Sequence, residues 1–141
     1  MPIDKRLAVI VPTRDRPEDL SNLFESIAGQ SLLPGQIIIV DSGDISLEKV
    51  ISEFQYLGIT YIKNKLPSLT AKRNFGLKYL NKDVEIVAFF DDDVIFYPDA
   101  MDVVMAFFTG STGNVAGAAC NNLGDPRNKI SFFLQIGSGR I

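Results

Sequence analysis

Histidine is absent from the 141 residues, and cysteine occurs once. Without an imidazole there is no Ser-His-Asp or Cys-His catalytic arrangement, and no zinc site of the Cys/His kind. Cys120 has no partner for an internal disulfide. It lies in the apolar run Val115-Ala116-Gly117-Ala118-Ala119-Cys120, and is expected as a small buried hydrophobe in a reducing compartment. Any metal is therefore expected on oxygen ligands, with Mg2+ or Mn2+ foremost. Runs of Lys and Arg are also missing, which excludes the basic stripe that a nucleic-acid partner requires. The apolar runs Leu7–Val11, Ile37–Val40, Ile86–Phe90 and Val103–Phe108 fall far short of the roughly 20 residues of a spanning helix. The first is too short for a signal-peptide core. The expected location is the cytoplasm, or the cytosolic side of a membrane for a longer protein.

What is present is an ordinary globular composition. With 46% hydrophobic and 22% charged residues and a formal charge of −3, the chain is expected to form a single domain over residues 1–141. Leu7–Pro12, Ile37–Val40 and Ile86–Phe90 are unbroken apolar runs rich in β-branched residues, as in strands buried on both faces. Ile59–Ile62 is a third, shorter strand in chain order, and Val115–Cys120 a candidate fifth. Leu20, Leu23, Phe24, Ile27 and Ala28 recur at helical spacing after Pro17 and end near Gly29. Helices are also expected around Leu47–Phe54, after a Ser68 or Thr70 cap, and after Pro98. The alternation of strands and helices predicts an α/β, Rossmann-like, mainly parallel sheet with helices on both faces. Ile130–Ile136 is one more strand or helix. Gly137–Ile141 has neither a helix stop nor a polar tail, and reads as an interrupted domain.

In such sheets, ligands bind beyond the carboxyl ends of the strands, where the strand order reverses. The polar residues collect at those ends: Pro12-Thr13-Arg14-Asp15, Asp41-Ser42-Gly43-Asp44 and Asp91-Asp92-Asp93. Three adjacent carboxylates repel one another unless a cation or ligand offsets them. In an extended turn, Asp91 and Asp93 share one side and face a divalent ion, while Asp92 points elsewhere and is free for a sugar hydroxyl. Lys72-Arg73-Asn74-Phe75-Gly76 opens a helix whose N-terminal amides favour an anion, with Arg73 as a bidentate phosphate contact. Gly76 inside a helix is expected to mark close packing against the sheet.

These segments, in this order, resemble the N-terminal half of the family-2 inverting glycosyltransferases of GT-A fold. The matching residues are Val9–Pro17, Gln30-Ser31 with Pro34 and Gln36–Gly43, Ala71 with Arg73-Asn74 and Gly76-Leu77, and Phe89–Asp93. The likeness covers about residues 7–121 and leaves 122–141 unassigned. It implies a nucleotide pocket formed by Pro12, Thr13, Arg14 and Asp41, with Arg73 near the base and phosphates. Asp91-Asp92-Asp93 stands as an Asp-x-Asp motif: Asp91 and Asp92 serve the nucleotide sugar, while Asp91 and, chiefly, Asp93 hold the metal. The implied reaction moves a sugar from a UDP-, GDP- or dTDP-linked donor to an acceptor hydroxyl with inversion. The acceptor is expected to be a glycan, a lipid-linked acceptor or a cell-surface polysaccharide.

Ser42 departs from the resemblance, since many members carry a second acid there. No residue fills the general-base position downstream, where Asp125 sits in a Gly-Asp-Pro turn. The base is expected beyond Ile141, and residues 1–141 alone are expected to bind donor, transfer no sugar and self-associate. A non-catalytic nucleotide-sugar-binding module shares every feature except the base. A phosphorylation receiver domain is disfavoured, because the acids follow the fourth strand and no Lys follows the fifth. The first and fourth strands are expected side by side, with Thr13, Asp41 and Asp93 around one cleft.

Overall fold

The structure, a computed structural model, describes residues 1–111 and 115–120. The chain divides into two compact units, Met1–Val103 and Val104–Ile141. The first unit holds a parallel sheet of β1 (Ile3–Thr13), β2 (Leu33–Asp41), β3 (Ile59–Lys63) and β4 (Ile86–Phe89). The strand order is β3-β2-β1-β4, so the chain reverses its direction of growth between β1 and β4. That reversal leaves a crevice at the carboxyl ends of these two strands. The helices α1 (Pro17–Ala28), α2 (Glu48–Glu53) and α3 (Leu69–Gly76) fall between the strands. After β4 comes α4 (Ala100–Gly110), which crosses from one unit into the other.

The central strands are buried on both faces, as their unbroken apolar runs require. Ile10, Ile38 and Val40 are fully buried on one face, packed with Ile62, Phe75, Leu80 and Val87. Their chain neighbours Val9, Val11, Ile37 and Ile39 alternate to the other face and are equally buried. α1 contributes a stripe of Leu20, Leu23, Phe24 and Ile27, all without exposure. β4 differs from the expectation of a fully buried strand. It pairs only with β1 among the described residues, so its side chains are half-buried and Phe89 is 41% exposed.

Two buried glutamines fix the connections. Gln30 donates to the carbonyls of Ser26 and Tyr97 and accepts from the amide of Met101, which ties the end of α1 to the start of α4. Gln36 donates to the Tyr79 carbonyl and accepts from the Asn81 amide, holding the chain that leads into β4. Each side chain satisfies backbone groups that burial would otherwise leave unpaired.

Residues 115–120 of the second unit form no strand, and Cys120 is exposed rather than buried. Four of the six residues in that run are Ala or Gly, which offer little side-chain area to drive strand pairing. Ile130–Ile136 and Asp125 lie outside the described residues.

Gly76 confirms the close-packing expectation. A Cβ there would stand 2.8 Å from Ile10 Cγ2 and 3.4 Å from Val40 Cγ2. Helix propensity alone favours Gly76→Ala by about 1 kcal/mol. The contact opposes it more strongly, because Ile10 sits in a full core with no room to retreat. Gly76→Ala is expected to destabilise by about 1–2 kcal/mol net in urea unfolding; a stabilised variant would contradict this packing.

Candidate functional site

The site is assembled by the pairing of β1 with β4. Ile10 lies in register with Phe89, and the Phe90 amide donates to the Ile10 carbonyl at 3.2 Å. The chain then turns at Asp92-Asp93 instead of continuing extended. This turn changes the expected orientation of the acids. Asp92, expected to point away and stay free, is the inward one, only 7% exposed. Its Oδ2 accepts from Thr13 Oγ1 at 2.7 Å, and its Oδ1 from Arg16 Nη1 at 3.3 Å.

The same guanidinium reaches Asp93 Oδ2 at 3.5 Å. Asp91 is paired separately, its Oδ1 accepting from Arg73 Nη2 at 2.9 Å. Each of the three carboxylates thus has a cationic partner, which offsets their mutual repulsion. The pairs at Asp91 and Asp93 are exposed and individually weak. The Asp92 pair is the stronger, since its carboxylate is buried and hydrogen-bonded on both oxygens.

A polar depression of about 340 Å3 lies over this cluster, lined by Pro12, Thr13, Arg14, Arg16, Leu69, Lys72 and Asp91-Asp92-Asp93. Of the residues expected from sequence, Pro12, Thr13, Arg14, Asp91, Asp92 and Asp93 meet here. Arg73 is bonded to Asp91 but does not line the depression, and its Nε is buried with no partner among the described residues. Asp41 is in register with Thr13 but sealed off at 0% exposure. Its oxygens accept from Tyr61 Oη at 2.6 Å and the Gly43 amide at 2.7 Å, with Lys63 Nζ at 3.5 Å. Burial, followed by the bond to Asp41, pushes the Tyr61 phenol above its ordinary value. Asp41 therefore shapes the loop after β2 and does not line the depression.

Arg16 and Lys72 line the depression and were not singled out by sequence as site residues. Arg16 precedes α1 and reads as an ordinary helix-start residue. Lys72 reads as the exposed neighbour of Arg73, yet it is buried at 9% exposure, its Nζ donating to Ser42 Oγ at 3.0 Å. A second depression, about 450 Å3, is lined by Asn22, Glu25, Ser26, Gly29, Ile95, Phe96 and Pro98. It contains one carboxylate and no cation.

Asp15 staples two of the loops. It adopts a left-handed backbone at φ 54°, and its Oδ1 accepts from the amides of Asp44 and Ile45 at 2.6 and 2.8 Å. Gly43 permits this approach, since a Cβ there would lie 2.6 Å from the Asp15 amide nitrogen. The Ile45 amide, with that of Asp44, holds the Asp15 carboxyl below its ordinary value of 3.8. A lowered acid contributes stability that is full above pH 3.8 and disappears as pH falls through the folded-state value. In urea unfolding, Asp15→Ala is therefore expected to be less stable than wild type near neutral pH, with the gap closing below pH 3.8. A gap independent of pH would contradict this role.

Comparison with known proteins places this geometry. The family model "Glycosyl transferase family 2" matches residues 8–131. An uncharacterized glycosyltransferase of Haemophilus influenzae is 34% identical over 101 residues, which is 70% of this chain and 33% of that protein. The uncharacterized glycosyltransferase YwdF of Bacillus subtilis is 33% identical over 94 residues, covering 66% of this chain and 34% of YwdF. The chain thus spans about a third of the length of these relatives. Among solved structures, the mannosyltransferase PcManGT of Pyrobaculum calidifontis, in complex with GDP-Man and Mn2+, superposes with a TM-score of 0.68 at 21% identity. That match covers 87% of this chain and 36% of PcManGT. Residues 1–349 of S. aureus TarS, in complex with UDP, give 0.66 at 18% identity over 83% of this chain and 38% of theirs. The four-stranded parallel sheet with its flanking helices is the Rossmann-like arrangement of GT-A glycosyltransferases, and the chain belongs to glycosyl transferase family 2.

Proposed function

We propose that this chain forms the donor half of an enzyme that moves a sugar from a nucleotide diphosphate to an acceptor hydroxyl with inversion. The observation that carries the reading is the acid cluster at the carboxyl ends of β1 and β4, held by Thr13 and Arg16 in an open polar depression. Family membership supports the reaction class, and TarS in complex with UDP-GlcNAc and PcManGT in complex with GDP-Man are similar in fold and hold nucleotide sugars. The donor is a UDP-, GDP- or dTDP-linked sugar. The acceptor class is a glycan, a lipid-linked acceptor or a cell-surface polysaccharide.

In this reading Pro12, Thr13 and Arg14 form the nucleotide wall. Asp92 acts through its bonds to Thr13 and Arg16, positioning both. Asp91 and Asp93 are the metal ligands. The donor set fits Mg2+ or Mn2+, since both are carboxylates with side chains 57% and 60% exposed. No group of three or more His, Cys, Asp or Glu suited to a metal is present among the described residues. Such an ion commonly takes one or two carboxylates and completes its shell with substrate phosphates and water. When bound, it stabilises the charge that develops on the leaving diphosphate.

The general base is proposed to lie beyond Ile141. Asp91, Asp92 and Asp93 are each held by a guanidinium beside the diphosphate position, whereas inversion needs a carboxylate on the opposite face of the sugar. We extend the reading to residues 1–141, both compact units included, acting at the cytosolic side. No helix among the described residues is long and apolar enough to cross a membrane. Exposed Ile95 and Tyr97 support self-association in concentrated solution.

Calorimetry with UDP, GDP and dTDP, with Mn2+ or with EDTA, tests the reading. At least one nucleotide is expected to bind about tenfold or more tightly with Mn2+, and Asp93→Ala to lose that increment. Equal affinity in EDTA for every nucleotide would contradict it.

A further inference from the structure

Of the four cations lining or adjoining the depression, three have a carboxylate partner, although the Nε of Arg73, which does not line the depression, is left without one among the described residues. Arg16 is paired with Asp92 and Asp93, Arg73 with Asp91, and Arg14 is an exposed side chain beside Asp15. Lys72 is the exception. It is more than nine-tenths buried and lines the depression, and its ammonium has three N–H donors. One of them meets Ser42 Oγ at 3.0 Å, a neutral acceptor. Among the described residues no carboxylate oxygen lies within 4.0 Å of Nζ, although three carboxylates line the same depression. A buried ammonium with a single neutral partner is costly unless an anion completes it.

The surroundings point the same way. Lys72 sits in the first turn of α3, whose cap is Ser68: Ser68 Oγ accepts from the Ala71 amide, and the Ser68 carbonyl from the Lys72 amide. The amides of Leu69 and Thr70, at the positive end of the helix, have no partner within the helix. Leu69 lines the depression beside Lys72. An oxyanion seated there meets helix amides and one ammonium together.

We propose that Lys72, rather than Arg73, is the phosphate-contacting cation of this depression, its ammonium taking a diphosphate oxygen of the donor. This rests on the nucleotide-sugar reading above. Arg73 is then a positioning residue that acts through Asp91.

The test is calorimetry on the full chain with Mg2+ present. The probes are inorganic pyrophosphate, the best-bound of UDP, GDP and dTDP, and its free nucleoside. Lys72→Met keeps the apolar stem and removes the charge. It is expected to weaken pyrophosphate and nucleotide by about ten- to a hundredfold and to leave the nucleoside unchanged. Lys72→Arg should retain most of the affinity. Thermal unfolding of Lys72→Met should match or exceed wild type, since an incompletely paired buried charge has been removed. Ser42→Ala removes the ammonium's hydrogen-bond partner within the protein and should keep pyrophosphate binding, which provides a second variant if Lys72→Met folds poorly.

Unchanged pyrophosphate affinity in Lys72→Met would overturn the proposal while leaving the nucleotide-sugar reading in place. Loss of nucleoside binding with pyrophosphate unchanged would instead assign Lys72 to the base and overturn the phosphate contact. A wild-type chain that binds none of the three nucleotides would overturn both.

Discussion

The buried Asp92 carboxylate is the constraint around which the site is arranged. Three consecutive acids follow a strand that leads out of the sheet, and their charges oppose any compact arrangement. The fold places one of them inward, where Thr13 Oγ1 and Arg16 Nη1 take its two oxygens. Thr13 is available only because β1 lies beside β4, and that adjacency is the point at which the sheet changes its direction of growth. Arg16 is available because the chain turns from β1 into α1 within a few residues. The Thr13 hydrogen bond and the Arg16 ion pairs therefore couple the topology of the sheet to the positions of Asp92 and Asp93, while Asp91 is held from α3 by Arg73.

The neighbouring carboxylates show how burial divides one residue type between roles. Asp41 ends β2 beside Thr13, yet it is fully enclosed and spends its oxygens on Tyr61, Gly43 and Lys63. Asp15 is at the surface and holds two backbone amides of the loop after β2. Asp91 and Asp93 remain largely exposed, with charge partners that solvent screens. The first two fix loops, while the last two are open to a ligand. Exposure, rather than sequence proximity to the motif, separates them.

Much of this was legible in the sequence. The unbroken apolar runs placed β1, β2 and β4, the shorter Ile59–Ile62 placed β3, and the spacing of Leu20, Leu23, Phe24 and Ile27 placed the buried face of α1. The collection of polar residues at strand ends identified the crevice, and a glycine within a helix signalled the contact with Ile10. What escaped depended on side-chain direction. Lys72 and Arg73 are adjacent, and no pattern in the residues says which enters the depression and which pairs with Asp91. Asp92 was expected to be free for a sugar hydroxyl because strand alternation was carried past the end of β4, where the chain turns instead and Thr13 and Arg16 take its oxygens. The sealing of Asp41 required Tyr61, twenty residues away on β3. Cys120 was expected to be buried because its neighbours are apolar, but small side chains give little reason to pair.

The central claim is that the cluster over β1 and β4, and not the larger depression beside α1, receives the nucleotide diphosphate. Amide chemical-shift mapping with the best-bound nucleotide and Mg2+ addresses it most directly. Perturbations are expected at Thr13–Arg16, Leu69–Arg73 and Asp91–Asp93, with little change at Asn22–Gly29. Shifts concentrated at Asn22–Gly29 and Ile95–Pro98, with the acidic turn unmoved, would contradict the account.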